Sequence, residues 1–288
     1  MLLAVLVRTM SATLGAVQAL ATMPLAADDV LPRPSRSFLY EPQRPGARSP
    51  LLDVYLPVGE PRGWVLVIHG GGFTTGRRNM KPSRVLAQKL LSERYLVFSV
   101  DYPLVRGAIT VWEQVDSVVA AIDQARGFVE RFHRPAARHG ALLGSSAGAT
   151  LALLAAARRR ESLSLVISAF GLYDFTELEG LLLAFFRRTV LGTESPALSR
   201  AASPQFGDQP LPPVVLLHGT ADRLVPVSQS ERMSASLRAR GVPVTSFVYP
   251  GAAHAFFNAP RSAVCRKALE DIAQSLATWA QPQPPDRV

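Results

Sequence analysis

From Leu51 to Ala280, short runs rich in β-branched residues alternate with helix-length segments, and that alternation restricts the possible folds more than any other feature of the chain. Strand, helix and strand in succession make βαβ units, which assemble into a parallel sheet covered by helices. Seven strands are expected: Leu51 to Leu56, Trp64 to His69, Leu96 to Asp101, Ala141 to Gly144, Leu163 to Ala169, Val214 to His218 and Val244 to Tyr249. Several are apolar at nearly every position, as a strand covered on both faces must be. The intervening segments carry the helical period; Val111, Val115, Val118, Ile122, Ala125, Val129 and Phe132 fall on one stripe. The expectation is one α/β domain over 51–280 with a mostly parallel sheet and helices on both faces. A hydrophobic fraction of 48% against 18% charged residues is enough for a core of that size.

One stretch breaks the rhythm. No strand is legible from Leu172 to Pro213, where a helical patch, Leu178 to Val190, carries Leu181, Leu182, Leu183, Phe185 and Phe186. The patch either packs on the domain or also forms a small lid, with Leu182, Phe185 and Phe186 lining a pocket. Before the domain, 28–50 reads as an extension with a proline-rich spacer, and 281–288 as a frayed tail. Met1 to Ala27 is apolar with Arg8 as its sole charge and ends in small residues before Asp28-Asp29, the pattern of a secretory signal peptide. A secreted or periplasmic location is therefore expected, the alternative being the N-terminal helix of a cytoplasmic protein. No later stretch offers the roughly 18 uninterrupted apolar residues of a membrane span.

Composition removes several function classes. Cys265 is the sole cysteine, so neither an internal disulfide nor a cysteine-based metal cluster can form. The formal charge is +9, yet the arginines are scattered or in short runs such as Arg158 to Arg160, without interleaved aromatics, and no nucleic-acid partner is expected. No H-E-x-x-H and no carboxylate cluster suggests a metal, so no metal and no cofactor are expected.

The chemistry sits at the ends of the expected strands. Gly144-Ser145-Ser146-Ala147-Gly148 fits G-x-S-x-G, a pattern that arises by accident about 0.1 times in a chain of this length. It follows a strand and opens a helix, the context in which a serine hydroxyl is thrust out of a tight turn as a nucleophile. Ser146 is the centre of the pattern, and Ser145 shapes the turn. His69-Gly70-Gly71-Gly72-Phe73 leaves the second expected strand as a loop whose backbone N–H groups can approach a substrate. Gly71 and Gly72, with the N–H of Ala147, are the candidate donors to a developing oxyanion, and Phe73 is a candidate pocket residue. A base and its orienting acid are then required in the chain order serine, acid, histidine. Asp222 follows the strand Val214 to His218, and His254 follows Val244 to Tyr249. Asp174 is the rival acid. His69 and His218, beside glycines at strand ends, are read as loop-holding residues, and His133 and His139 as surface residues.

Taken together, these residues resemble the bacterial esterase/lipase group of α/β-hydrolases, which includes hormone-sensitive-lipase-like carboxylesterases and related acetyl and feruloyl esterases. The likeness also rests on Leu52-Asp53-Val54-Tyr55-Leu56-Pro57, Val100-Asp101-Tyr102-Pro103-Leu104 and Pro213 to Val227. The hormone-sensitive-lipase branch usually has an aspartate before the nucleophile where this chain has Ser145, which tilts the resemblance toward the acetyl and feruloyl esterases. It implies the α/β-hydrolase fold and hydrolysis of small-molecule short-acyl or aryl esters through an acyl-enzyme, without cofactor. The same parts serve an amidase, a formamidase or a serine peptidase. A ligand-binding homologue without catalysis is the reading of a different class, and the presence of Ser146, Asp222 and His254 together argues against it.

Overall fold

The computed structural model describes residues 31–42, 49–105, 109–178, 186–192 and 195–279. Its strands are β1 (Arg36–Leu39), β2 (Leu51–Tyr55), β3 (Gly63–Ile68), β4 (Tyr95–Val100), β5 (Gly140–Ser145), β6 (Leu165–Ala169), β7 (Val214–Gly219) and β8 (Val244–Tyr249). They form one sheet in the order β1-β2-β4-β3-β5-β6-β7-β8. The β1–β2 and β2–β4 pairings are antiparallel, and the other five are parallel.

Alternate side chains of the central strands feed two cores, one on each face of the sheet. Trp64, Leu66 and Ile68 of β3 point to one side with Leu96 and Phe98 of β4, while Val65 and Val67 point to the other with Val97. The first face is covered by α2 (Val111–Phe132), α3 (Ala147–Arg158) and α5 (Ser228–Ala239), the second by α1 (Lys81–Ser92) and α6 (Ala263–Trp279). Helix α2 starts at a capping box: the Glu113 carboxylate accepts from the Thr110 N–H at 2.7 Å, and Thr110 Oγ1 accepts from the Trp112 N–H at 3.3 Å. Its expected stripe is buried from Val111 to Val129, but Phe132 is 54% exposed. The helix ends there, and the ring packs instead on Phe128, with centroids 4.8 Å apart, under the Arg131 guanidinium.

The strand β1 was not legible and lies in the segment read as a spacer. It is short, sits at the sheet edge and owes its place to the β2 ladder, with Arg36 opposite Val54 and Leu39 opposite Leu51. The segment is fastened at both ends: Tyr40 is buried and donates to the Asp101 carbonyl at 2.7 Å, and Arg84 Nη2 donates to the Leu31 carbonyl at 2.8 Å.

Between β6 and β7 the described residues hold no strand, as expected, but a π-helical turn Phe186–Val190, the short helix α4 (Pro196–Ala201) and a 3-10 turn Pro204–Phe206. Val190, Leu191 and Ala202 are buried in the first core. The excursion is closed where it begins and ends, because the Phe175 N–H donates to Ser203 Oγ at 2.8 Å and the Gln205 N–H to the Tyr173 carbonyl at 3.1 Å. Leu182, Phe185, the Phe186 side chain, the Met1 to Ala27 stretch and the 281–288 tail lie outside the described residues. Among the described residues, no helix is long and apolar enough to cross a membrane.

Candidate active site

The turn from β5 into α3 is built by what its residues lack. Ser146 has φ 53° and ψ −121°, a left-handed conformation that costs an L-residue on the order of 1–3 kcal/mol and persists only where its surroundings hold it. The Ser146 N–H donates to the Ala169 carbonyl of β6 at 2.9 Å, and its own carbonyl accepts from the Ala149 N–H at 2.9 Å. Two positions away on either side, only glycine fits. A Cβ on Gly144 would lie 2.1 Å from the Gly148 carbonyl oxygen, and one on Gly148 would lie 2.2 Å from that of Ile68. Strand and helix therefore approach closely enough for the serine to stand at the apex between them.

Two further loops from the same sheet edge complete the site. After β8, His254 places Nε2 at 3.0 Å from Ser146 Oγ and Nδ1 at 2.6 Å from Asp222 Oδ2. Nδ1 thus donates to the carboxylate and Nε2 is left to accept the serine proton, the tautomer a general base requires. After β7, Asp222 is buried, and its Oδ1 accepts from the N–H groups of Leu224 and Val225, each at 2.9 Å. Burial alone would raise the Asp222 carboxyl, but the donors His218 and His254, the His254 charge and the Val225 N–H outweigh it and hold the group well below the usual carboxylate range. Phe170, itself at φ 42°, sets its ring 4.9 Å from that of His254, so an aromatic wall supports the imidazole.

Asp174, the rival acid, is occupied elsewhere: it accepts from the Thr176 N–H at 2.7 Å and the Thr176 hydroxyl at 2.6 Å, beside Gln205 at 3.3 Å. His69 binds its own loop, with Nδ1 2.7 Å from the Gly70 carbonyl oxygen and its ring stacked on Tyr102 at 4.2 Å.

The glycine loop after β3 faces Ser146 across a cavity of about 50 Å³, lined among others by Gly71, Gly72, Met80, Phe170, Leu224 and Phe257. Its N–H groups at Gly71 and Gly72 donate to no backbone carbonyl among the described residues, while the Gly71 carbonyl is pinned by the Thr75 N–H and hydroxyl, each at 2.9 Å. Phe73 does not line the cavity; with φ 66° it turns into the core, where Gln114 Nε2 holds its carbonyl at 2.7 Å.

The clamp on this loop is not legible in the sequence. Arg78 donates from Nε to Asp53 Oδ1 at 2.7 Å, from Nη1 to Asp101 Oδ2 at 2.5 Å and from its backbone N–H to Asp101 Oδ1 at 2.8 Å. Both aspartates stood out in the sequence only as parts of motifs; the arginine that joins them did not. No group of three or more His, Cys, Asp or Glu able to hold a metal occurs among the described residues.

The chain is 28% identical over 279 residues to esterase LipQ of Mycobacterium tuberculosis, an alignment covering 84% of this chain and 64% of LipQ, so it spans less than two thirds of that relative. It superposes on an esterase of Pyrobaculum calidifontis with a TM-score of 0.72 at 24% identity, covering 96% of this chain and 93% of that one. Esterase B of Lactobacillus rhamnosis matches with a TM-score of 0.74 at 20% identity, covering 96% and 94%. At such identities the structures speak for the fold, which is that of the α/β-hydrolases. Residues 52–237 match the BD-FAE family model, and the chain belongs to the BD-FAE family of that fold.

Proposed function

We propose that this protein is a serine carboxylesterase that hydrolyses short-acyl esters of small molecules through a covalent acyl-enzyme. The observation that carries the reading is the unbroken hydrogen-bonded chain Ser146, His254, Asp222 opening onto the cavity. LipQ and the two superposed structures, all named as esterases, support it.

In this reading Ser146 Oγ attacks the ester carbonyl carbon as its proton passes to His254 Nε2. The carbonyl oxygen becomes an oxyanion and accepts from the N–H groups of Gly71, Gly72 and Ala147, a contribution of about 3 to 4 kcal/mol for one such donor. The intermediate collapses, the alkoxide takes the proton from His254 and leaves, and the acyl group stays on Ser146. Water then loses a proton to His254, attacks the acyl carbon and regenerates the serine, releasing the acid.

The cavity selects the acyl group. Met80, Phe170, Leu224 and Phe257 crowd the space beside Ser146, which favours a short acyl group over a long one. Initial rates on p-nitrophenyl esters from acetate to decanoate should be highest at acetate or butyrate and fall by on the order of 100-fold at decanoate. A flat or rising series would overturn the short-acyl assignment. Silence on all esters with turnover of a matched anilide or of N-formylkynurenine would move the enzyme to the amidases.

The acid side of the pH profile follows from Asp222. A carboxyl held low contributes stability that is present above the unfolded value of about 3.9 and is lost only as pH falls through its lowered folded value. Asp222 therefore stays ionised throughout the acid limb of the activity profile. A plot of log(kcat/KM) against pH should rise with a slope of one on its acid limb. A slope of two would mean that the aspartate titrates in the same range.

A further inference from the structure

Asp222 has a second histidine on its other side. His218, fully buried at the end of β7, brings Nε2 to 2.9 Å from the Val225 carbonyl oxygen and 3.3 Å from Asp222 Oδ2, while Nδ1 lies 2.6 Å from Ser230 Oγ of α5. A backbone carbonyl only accepts, so Nε2 carries a proton, and that proton faces both Val225 and the carboxylate oxygen that receives His254. In the neutral ring Nδ1 then accepts from the Ser230 hydroxyl. The array of polar side chains extends past the aspartate as Ser146, His254, Asp222, His218 and Ser230, with His218 joined to Asp222 by the 3.3 Å approach of Nε2.

We propose that His218 is a positioning residue for the reaction, one that fixes Asp222 Oδ2 and tempers its negative charge, and so sets how strongly His254 holds a proton. The inference rests on the Ser146 and His254 assignment above. Its physical basis is that a donor to an ionised, buried carboxylate takes up part of its charge; without the donor, the carboxylate binds the His254 imidazolium more tightly. Among the described residues, the ionisable groups around this array are these. Asp222 and His254 belong to it, and Arg223 on the same loop is exposed. Tyr173, from the loop after β6, lies against Ser230 and is pushed up to about 12 by burial, so it stays neutral. The neighbouring Asp174 is held by Thr176.

The test follows the rate at which a fluorophosphonate labels Ser146 as a function of pH, which needs no knowledge of the natural ester, with p-nitrophenyl acetate turnover and thermal melting in parallel. His218→Leu should move the acid limb to higher pH by about 0.5 to 1 unit and slow labelling at neutral pH on the order of tenfold. His218→Gln, which keeps a donor amide, should return the limb close to the wild-type position. Ser230→Ala leaves His218 in place but frees its tautomer, and should shift the limb in the same direction by a smaller amount. Folded His218→Leu and Ser230→Ala proteins with the wild-type acid limb overturn the proposal, even if they melt earlier, because a merely structural histidine changes stability and not the pH profile. Should His218→Leu not be recovered folded, an unshifted limb in Ser230→Ala overturns it by itself. A wild-type protein that the phosphonate never labels removes the Ser146 reading instead, so the two failures are distinct.

Discussion

Replacing Ser146 with alanine should lower kcat on p-nitrophenyl acetate by a factor on the order of 10⁶ while leaving the fold intact. The size of the loss follows from the cooperation of the three side chains: without Oγ, His254 Nε2 loses the hydroxyl that donates to it at 3.0 Å, and Asp222 orients a base that has nothing to deprotonate. What remains is the oxyanion pocket and substrate binding, which give only a residual rate over water. The fold should survive because Oγ is spared from structural duty. The turn is held by the backbone N–H and carbonyl of residue 146 and by the two flanking glycines, all of which the variant keeps. Stopped-flow mixing should show no burst of p-nitrophenol, with a melting temperature within about 2 °C of wild type. A burst that persists would remove Ser146 from the mechanism.

Gly148→Ala should be strongly damaging for a change of one methyl group. Its Cβ would lie 2.2 Å from the Ile68 carbonyl oxygen and 2.5 Å from that of His69, both backbone atoms of the β3 edge that cannot swing aside. Either α3 lifts from the sheet or β3 bends, and both routes open the most central part of the core. The cost should be at least about 3 kcal/mol, at the upper end of overpacking changes. Differential scanning calorimetry should show a melting temperature lower by roughly 6–12 °C, or no folded protein at all. The same displacement would carry the glycine loop away from Ser146, so any folded fraction should turn over substrate slowly. A variant that melts like wild type with full activity would show that strand and helix do not approach as closely as described.

The parts of this molecule that could be read from its sequence are those whose cause is local. The parallel strands were legible because burial on both faces leaves continuous apolar runs, as in Trp64 to Ile68. Ser146 was legible because the turn demands glycine at 144 and 148, and Asp222 and His254 because each follows a legible strand in a fixed order. What escaped has causes far away in the chain. Arg78 is defined by carboxylates 25 and 23 positions distant, which only the pairing of β2 with β4 brings side by side. β1 has no apolar pattern of its own and exists through its neighbour. Phe73 looked like a pocket residue because it adjoins the glycines, but its left-handed backbone turns it inward, and nothing in the residue type announces that. His218 was read as holding a loop, which it does through Val225; that it also faces Asp222 depends on how the turn between them curls.

The excursion between β6 and β7 is tied at its neck by Phe175 to Ser203 and Tyr173 to Gln205, and neither Ser146, Asp222 nor His254 lies within it. The three side chains of the candidate site and the described residues that line its cavity thus lie outside the length from Thr176 to Ala202. Segments of different size and sequence can be spliced in between Thr176 and Ala202 without altering the spacing of β6 and β7, provided they return side chains to the places now filled by Val190, Leu191 and Ala202. The scaffold thus behaves as a socket for an exchangeable cassette, which can be lengthened or replaced while the sheet and the Ser146, His254 and Asp222 geometry are kept.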